Sequence, residues 1–465
     1  MDVLIKNCQY PDFLEGKMKK GNIALEEGKI LWIKDSIHKE DEEEAENTID
    51  GEGKVLSPGF IDIHMHEENF LIEGKEYIIA NMMLEQGVTT CVGGQCGVLR
   101  QKVDDFRQII EEMGGSPVNY ITLTGYNTLR TVKGIGRHEQ PTEEQLQELI
   151  EEVNLEIHKG SFGVSFGIEY DPGITLDEML EVVWSIPDEE ILVAAHFRQD
   201  GMGAIESIEE MIEIQNKIKQ KFQISHLSSC SAMGQMKETL DRIEKGIEEN
   251  PNLSFDMYPY NAFSTSMGSE VFSEGCFIHW EKDYEDILLT DEPYKNVRCT
   301  QEIFDECREH YPNMLAVAFV MNEEEIEMAL AHKEGMIASD GIINNGNGHP
   351  RAAGTFPRVL GRYVREKGVL SMYDALRKMT YVPAERLKLS EKGRIEEGMD
   401  ADLVLFDPET IIDCATYEDI SLKPEGIEYV WIDGQFAIKD GKVVNNRLGN
   451  YLVSEKRYAH RETNQ

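Results

Sequence analysis

Through the middle of the chain, short apolar runs rich in β-branched residues alternate with longer stretches whose apolar positions recur at helical spacing. The short runs are "FIDIHMH", "VTTCVGGQC", "NYITLTGYN", "FGVSFGIEY", "ILVAAHF", "FQISHL", "LSFDMYPY" and "GMIASDG", and each reads as a β-strand. The blocks between them, such as "TEEQLQELIEEVNLEIHK" and "SIEEMIEIQNKIKQK", read as amphipathic helices. The first of these opens at Pro141 and Thr142 on "TEEQ", the pattern of a capping box. Eight strand-helix units over roughly 300 residues predict an α/β fold, a (β/α)8 TIM-like barrel over residues 58–390.

The two ends of the chain have a different texture. Residues 1–57 alternate apolar and polar positions in "GNIALEEGKILWI" around a Glu-Glu-Gly turn, and leave through Gly and Pro in "GEGKVLSPG". Residues 391–450 repeat the pattern in "GRIEEGMDADLVLFDP" and "YVWIDGQFAIKDGKVV", with Asp433-Gly434 and Asp440-Gly441 at hairpin positions. The two segments are expected to pair into one small β-sandwich domain, followed by a tail over 451–465. One interval between strands is too long: Asp256 to Asp340 spans far more chain than the other units. An insertion is therefore expected around residues 262–312, where a long loop at the C-terminal ends of the strands would shape the site.

Composition narrows the function. With 41% apolar residues over 465 positions the chain can bury a sizeable core. No stretch approaches the roughly 18 uninterrupted apolar residues of a membrane span, and "MDVLIKNCQYPDF" lacks the pattern of a secretory signal, so a cytoplasmic location is expected. Eight cysteines without a C-x-x-C pair fit reduced thiols. The formal charge of −41 marks an acidic surface that disfavours nucleic acid and anionic membranes. An anionic substrate would then need a local cation in its site.

The chemistry lies at the ends of the expected strands. His64 and His66, two apart in an extended chain, point to one face. Cys96 follows Gly93-Gly94, where the chain can turn its thiol inward. Glu169 and Tyr170 end the fourth strand, His196 the fifth, His226 the sixth, Asp256 and Tyr258 the seventh, and Asp340 the eighth. In a barrel these ends converge on one mouth, which gathers nitrogen, sulfur and oxygen donors of the kind zinc prefers. Taken alone, any one strand-end histidine is more often a satisfied polar residue; four on one barrel change that. Cys91 reads as a small core residue, Cys230 as lying past its strand's reach, and His349 is left open. Asp340 before Gly341 also fits a helix cap. Opposite a metal it would be the general base that takes a proton from water and returns it to a leaving amine.

These residues resemble the amidohydrolase superfamily and, within it, the N-acyl-D-amino-acid deacylases (D-aminoacylases). The resemblance covers nearly the whole chain through "SPGFIDIHMH", "GVTTCVGGQCG", "GVSFGIEYDPG", "AAHFR", "ISHL", "DMYPY", "ASDG", "GHPRAAGTFPRVLGRYVRE", "PAERLKL" and "GMDADLVLFDP". The H-x-H pair points only to the superfamily, whereas the cysteine of "GGQCG" joined to "HPRAAGTF" is specific to this branch. The resemblance implies a Zn2+ held by Cys96, His196 and His226, with His64 and His66 completing a second, weaker metal position. It also implies that Asp340 is the catalytic acid/base, that Arg351 grips the substrate α-carboxylate, and that Tyr170 and Tyr258 line the same pocket. The implied partner is a small acyl amino acid; a homo-oligomer is left open.

Two departures qualify the match. Deacylases of this type commonly carry a lysine two residues after the sixth-strand histidine, where this chain has Ser228. Many superfamily members bridge two metals with a modified lysine on the fourth strand, and "GIEY" has none. The rival activities on the same scaffold are a dipeptidase for D-configured or isoaspartyl peptides and a cyclic-amide hydrolase. A binding scaffold without catalysis is the alternative of another class.

Overall fold

The computed structural model describes residues 1–453, the side chains of Ile72 and Glu73 aside; residues 454–465 of the expected tail lie outside the described residues. Each of the eight apolar runs contains a strand: Phe60–Asp62, Val88–Gly93, Asn119–Thr122 with its continuation Thr124–Gly125, Gly163–Gly167, Leu192–His196, Lys221–Ile224, Leu253–Met257 and Gly335–Ile337. Neighbouring strands pair in parallel, as strands joined through helices must. Beyond the last strand, the Asp340 amide donates to the His64 carbonyl at 2.8 Å and the His66 amide to the Gly341 carbonyl at 2.9 Å. The hydrogen-bonding path therefore returns from the eighth strand to the first.

Asp62 reinforces that return. Its buried Oδ1 accepts from the amides of Ser339 at 3.0 Å and His64 at 3.2 Å. On either side of it Ile61 and Ile63 join an apolar cluster with Val92, Ile121, Leu123 and Met336. Period-2 alternation thus separates a packing face from a polar one along a single strand. The helices pack outside this layer; Glu143–Lys159 begins at the expected capping box, with Thr142 Oγ1 accepting from the Gln145 amide and Gln145 Oε1 from the Thr142 amide.

The chain ends meet in one nine-stranded sheet. Leu403–Phe406 runs antiparallel to Val55–Pro58, with Leu403 opposite Pro58 and Phe406 opposite Val55, which joins the C-terminal strands to the N-terminal ones. Asp433-Gly434 and Asp440-Gly441 all have positive φ, the conformation that tight hairpins of matching twist require. The sheet is followed by Gly449–Leu452, which hydrogen-bonds along Ser116 and Tyr120 beside the third parallel strand.

The insertion runs further than expected. Its three-stranded antiparallel sheet is built from Phe263–Ser266, Ile287–Leu289 and Leu315–Ala318, so it extends past 312 to Ala318. Leu315–Ala318 is the central strand, fully buried, and its uniform apolar run carries no alternation to announce it. Among the described residues no helix is long and apolar enough to cross a membrane.

Replacing Asp62 with Ala strands two buried amides, which costs about 2–4 kcal/mol at the usual penalty for such groups. A denaturant titration of Asp62→Ala against the wild type measures it; a loss below about 0.5 kcal/mol would remove Asp62 from the link between first and eighth strands.

Candidate metal-binding active site

Three chemistry-bearing residues sit in the left-handed backbone region: Cys96 at φ 53°, His226 at φ 31° and Asp340 at φ 48°. Side chains other than glycine adopt this region rarely, at a cost on the order of 1–3 kcal/mol each. At Cys96 the reason is local. The chain leaves the second strand through Gly94 at φ 70°, where a Cβ would stand 1.9 Å from the Leu123 carbonyl oxygen, so only glycine permits the turn. Glu67 Oε2 accepts from the Gly94 amide at 2.8 Å and holds it.

These turns bring together side chains from distant strands. Donor atoms of His64, Cys96, His226 and Asp340 all lie within 4.8 Å of one another, and all four residues are buried. Cys96 Sγ is 3.3 Å from His64 Nε2, 3.3 Å from His226 Nε2 and 3.9 Å from His196 Nδ1. His196 Nδ1 and His226 Nε2 are 2.8 Å apart. A tetrahedral zinc with bonds of about 2.0–2.3 Å sets its donors roughly 3.3–3.8 Å apart. The two 3.3 Å sulfur-nitrogen separations fall in that spacing and the 3.9 Å one lies just beyond it, while the nitrogen-nitrogen contact is shorter. His66 stands to one side, with Nε2 3.3 Å from Asp340 Oδ1.

The free ring nitrogens are occupied. His196 Nε2 contacts Glu169 Oε2 at 2.8 Å, leaving Nδ1 toward Cys96. His226 Nδ1 contacts Ser229 Oγ at 2.7 Å, leaving Nε2 toward the thiol. Asp256 is shared: Oδ2 lies 3.3 Å from His64 Nδ1 and accepts from Gln223 Nε2 at 2.5 Å, while Oδ1 accepts from the His226 amide at 2.8 Å. Such partners fix the tautomer and orientation of metal-binding histidines.

The electrostatics agree with the donor set. Burial alone would raise the Cys96 thiol, but His64 and His226 beside it hold it well below its usual range. Burial likewise opposes ionisation of Asp340, yet Arg351 and His226 keep it well below the usual carboxylate range. His64 is disfavoured as a cation by burial and driven well above its usual value by Asp256 and Cys96. A thiol and a carboxyl both held toward their anionic forms among imidazoles are a donor set that suits a dication. Cys91, in contrast, is buried inside the second strand and its thiol is pushed well above the usual range.

Arg351 has a place that its spacing did not reveal. It is buried behind Asp340, with Nη2 3.0 Å from Asp340 Oδ2 and donating to the Ser264 carbonyl at 3.1 Å. Its guanidinium lies 4.6 Å from the Tyr258 ring centroid. The Tyr170 ring is 4.5 Å from that of His196. Ser228 is buried and its hydroxyl accepts from the Tyr258 amide at 3.4 Å. His349 is buried, and its Nδ1 accepts from the Arg351 amide at 3.0 Å. A cavity of about 610 Å³ opens beside the cluster, lined by His66, Cys96, Tyr170 and Asp340, by Arg100, Asn127 and Arg137, and by Ser264, Thr265, Ser266 and Ser269 of the insertion.

The sequence pattern of the amidohydrolase family matches residues 55–437. The chain belongs to the amidohydrolase family. Within that family it is 29% identical to a D-aminoacylase of Alcaligenes xylosoxydans xylosoxydans, over 88% of this chain and 89% of that protein. It is 29% identical to an N-acyl-D-aspartate deacylase of the same organism, over 97% and 95%. The solved structure of an N-acyl-D-glutamate deacylase from Bordetella bronchiseptica, complexed with zinc and a phosphonate inhibitor mimicking the tetrahedral intermediate, superposes with a TM-score of 0.85. It is 25% identical, covering 98% of this amidohydrolase and 100% of that chain.

The sequence placed Asp256 among the strand-end residues without a specific role, and pointed to none for Gln223, Ser229 or Glu67. Asp256 carried a signal, an acid inside the apolar run "LSFDM"; the others carried none. Asp256→Asn is expected to weaken zinc affinity about 10- to 100-fold, the usual cost of losing such a partner, in competition titrations against a chelating dye. Affinity within threefold of the wild type would show that Asp256 does not orient the ligands.

Proposed function

We propose that the chain is a zinc-dependent hydrolase that cleaves the amide bond of N-acyl-D-amino acids, releasing a carboxylic acid and a free D-amino acid. The observation that carries this reading is the convergence of Cys96, His64, His226 and Asp340 within 4.8 Å, with His196 in contact. The architecture we infer is a (β/α)8 barrel, closed by the hydrogen bonds of residues 64–66 with 340–341, beside a small β-sandwich domain formed by the nine-stranded sheet. We place the domain limits at 1–57, 58–390 and 391–450, with the insertion extended to Ala318. All eight cysteines are free, which accords with a reducing, cytoplasmic setting.

In this reading Cys96, His196 and His226 hold the tight zinc, and His64 and His66 contribute to a second, weaker position. When bound, zinc supplies Lewis acidity, lowering the pKa of water toward about 7 and polarising the amide carbonyl. Asp340, kept anionic by Arg351, accepts the proton of the attacking water and delivers it to the leaving nitrogen as the C–N bond breaks. Among the described residues, the buried Arg351 Nε and Nη1 have no hydrogen-bond partners, unmet donors that a substrate α-carboxylate would satisfy. Tyr170 and Tyr258 wall the same region.

A hydrolysis screen of N-acetyl amino acids in both enantiomers, with metal content measured on the same sample, tests the proposal. Turnover of the D series by a zinc-containing protein is expected; turnover confined to dipeptides or hydantoins would overturn the substrate class. Asp340→Asn is expected to retain zinc and lose about 10²- to 10⁴-fold in kcat, and a variant that keeps turnover would remove Asp340 from the chemistry. Cys96→Ala is expected to lose the tight zinc by elemental analysis, and stoichiometric zinc in that variant would contradict its ligand role.

A further inference from the structure

The cavity beside the donor cluster holds a cation that this chemistry leaves unused. Arg100 lines it together with His66, Cys96 and Asp340. The chain carries 87 Asp and Glu against 46 Lys and Arg, so carboxylate partners are plentiful. Among the described residues, however, the Arg100 guanidinium forms no ion pair and its Nε has no hydrogen-bond partner. The other charges of the cavity are matched: Arg137 lies 3.8 Å from Glu270, Asp171 lies 3.7 Å from Arg130, and Asp340 is paired with Arg351.

The backbone of Arg100 is also fixed relative to the reacting centre. Glu67, buried, accepts from the Gly94 amide through Oε2 at 2.8 Å and from the Arg100 amide through Oε1 at 3.2 Å, so one carboxylate clamps both ends of the loop that carries Cys96. Between those ends, the Gly97 amide donates to Ser165 Oγ at 3.0 Å and the Leu99 amide to Thr128 Oγ1 at 2.9 Å. A loop held at four backbone points carries both Cys96 and Arg100, and both residues line the cavity. A group bound at Arg100 therefore shares the cavity with the donor cluster.

We propose that Arg100 binds a second carboxylate of the substrate, distinct from the one on the carbon that bears the scissile nitrogen. The inference rests on the acyl-amino-acid hydrolase reading and narrows it to dicarboxylate substrates. A molecule of charge −41 repels a dianion, and an unpaired arginine at the site supplies the local attraction. The same chemistry serves an acidic amino-acid side chain or a dicarboxylic acyl group.

The test is kcat/KM of the zinc-loaded wild type, Arg100→Gln and Arg100→Lys with N-acetyl-D-leucine, N-acetyl-D-glutamate and N-succinyl-D-leucine. The wild type is expected to prefer a dicarboxylate. In Arg100→Gln the ratio of kcat/KM for that dicarboxylate over N-acetyl-D-leucine is expected to fall about 10- to 100-fold, mainly through KM, as for loss of a charged hydrogen bond. Arg100→Lys should restore part of the ratio, since it keeps the charge without the planar fork. A fall with the glutamate substrate places the carboxylate on the side chain; a fall with the succinyl substrate places it on the acyl group. An unchanged ratio in Arg100→Gln, or a wild type that prefers N-acetyl-D-leucine, overturns the assignment. Hydrolysis of none of the three by the wild type defeats the hydrolase reading itself, and this assignment with it.

Discussion

The hydrogen bonds that join residues 64–66 to 340–341 are the constraint on which the rest of the site depends. They set the end of the first parallel strand against the end of the eighth, although more than half of the chain lies between them. His64 and His66 then stand beside Asp340, and the thiol of Cys96 and the rings of His196 and His226 fall on the same side. Asp62, accepting from both Ser339 and His64 just below, ties the two strands where their polar face begins. Without that adjacency the strand-end residues would be scattered polar groups on separate strands.

Holding them together is costly, and the structure shows how the cost is offset. Cys96, His226 and Asp340 occupy a backbone region unfavourable to residues with side chains. Buried anions would normally be neutralised. Here Cys96 is offset by imidazoles and Asp340 by Arg351, whose guanidinium stacks over Tyr258. Asp256 serves three groups from two strands at once, reaching His64, the His226 amide and Gln223. Backbone strain and pairing of charge concentrate at the same few residues, as expected where function rather than stability sets the geometry.

Much of this was legible in the sequence because strand ends are punctuated. Apolar runs marked the eight strands, and polar residues closing several of them marked candidate donors. Asp433-Gly434, Asp440-Gly441 and the Thr142 capping box are local signals, and local signals survive without knowledge of the fold. What escaped depended on contacts between distant segments. Leu315–Ala318 was hidden because a central strand buried on both faces shows no alternation. The pairing of Arg351 with Asp340, the service of Ser229 to His226 and the clamp of Glu67 on the Cys96 loop are set by registers across the chain, on which residue spacing is silent. Asp256 lay between the two cases: its position at a strand end was visible, its partners were not.

The central claim is that one zinc ion shares Cys96 with imidazoles from the fifth and sixth strands. X-ray absorption at the zinc edge on the metal-loaded protein addresses it directly. The account predicts a single sulfur neighbour at about 2.3 Å together with nitrogen or oxygen neighbours at about 2.0–2.1 Å, the sulfur contribution vanishing in Cys96→Ala. A zinc environment made only of nitrogen and oxygen in the wild-type protein would contradict it.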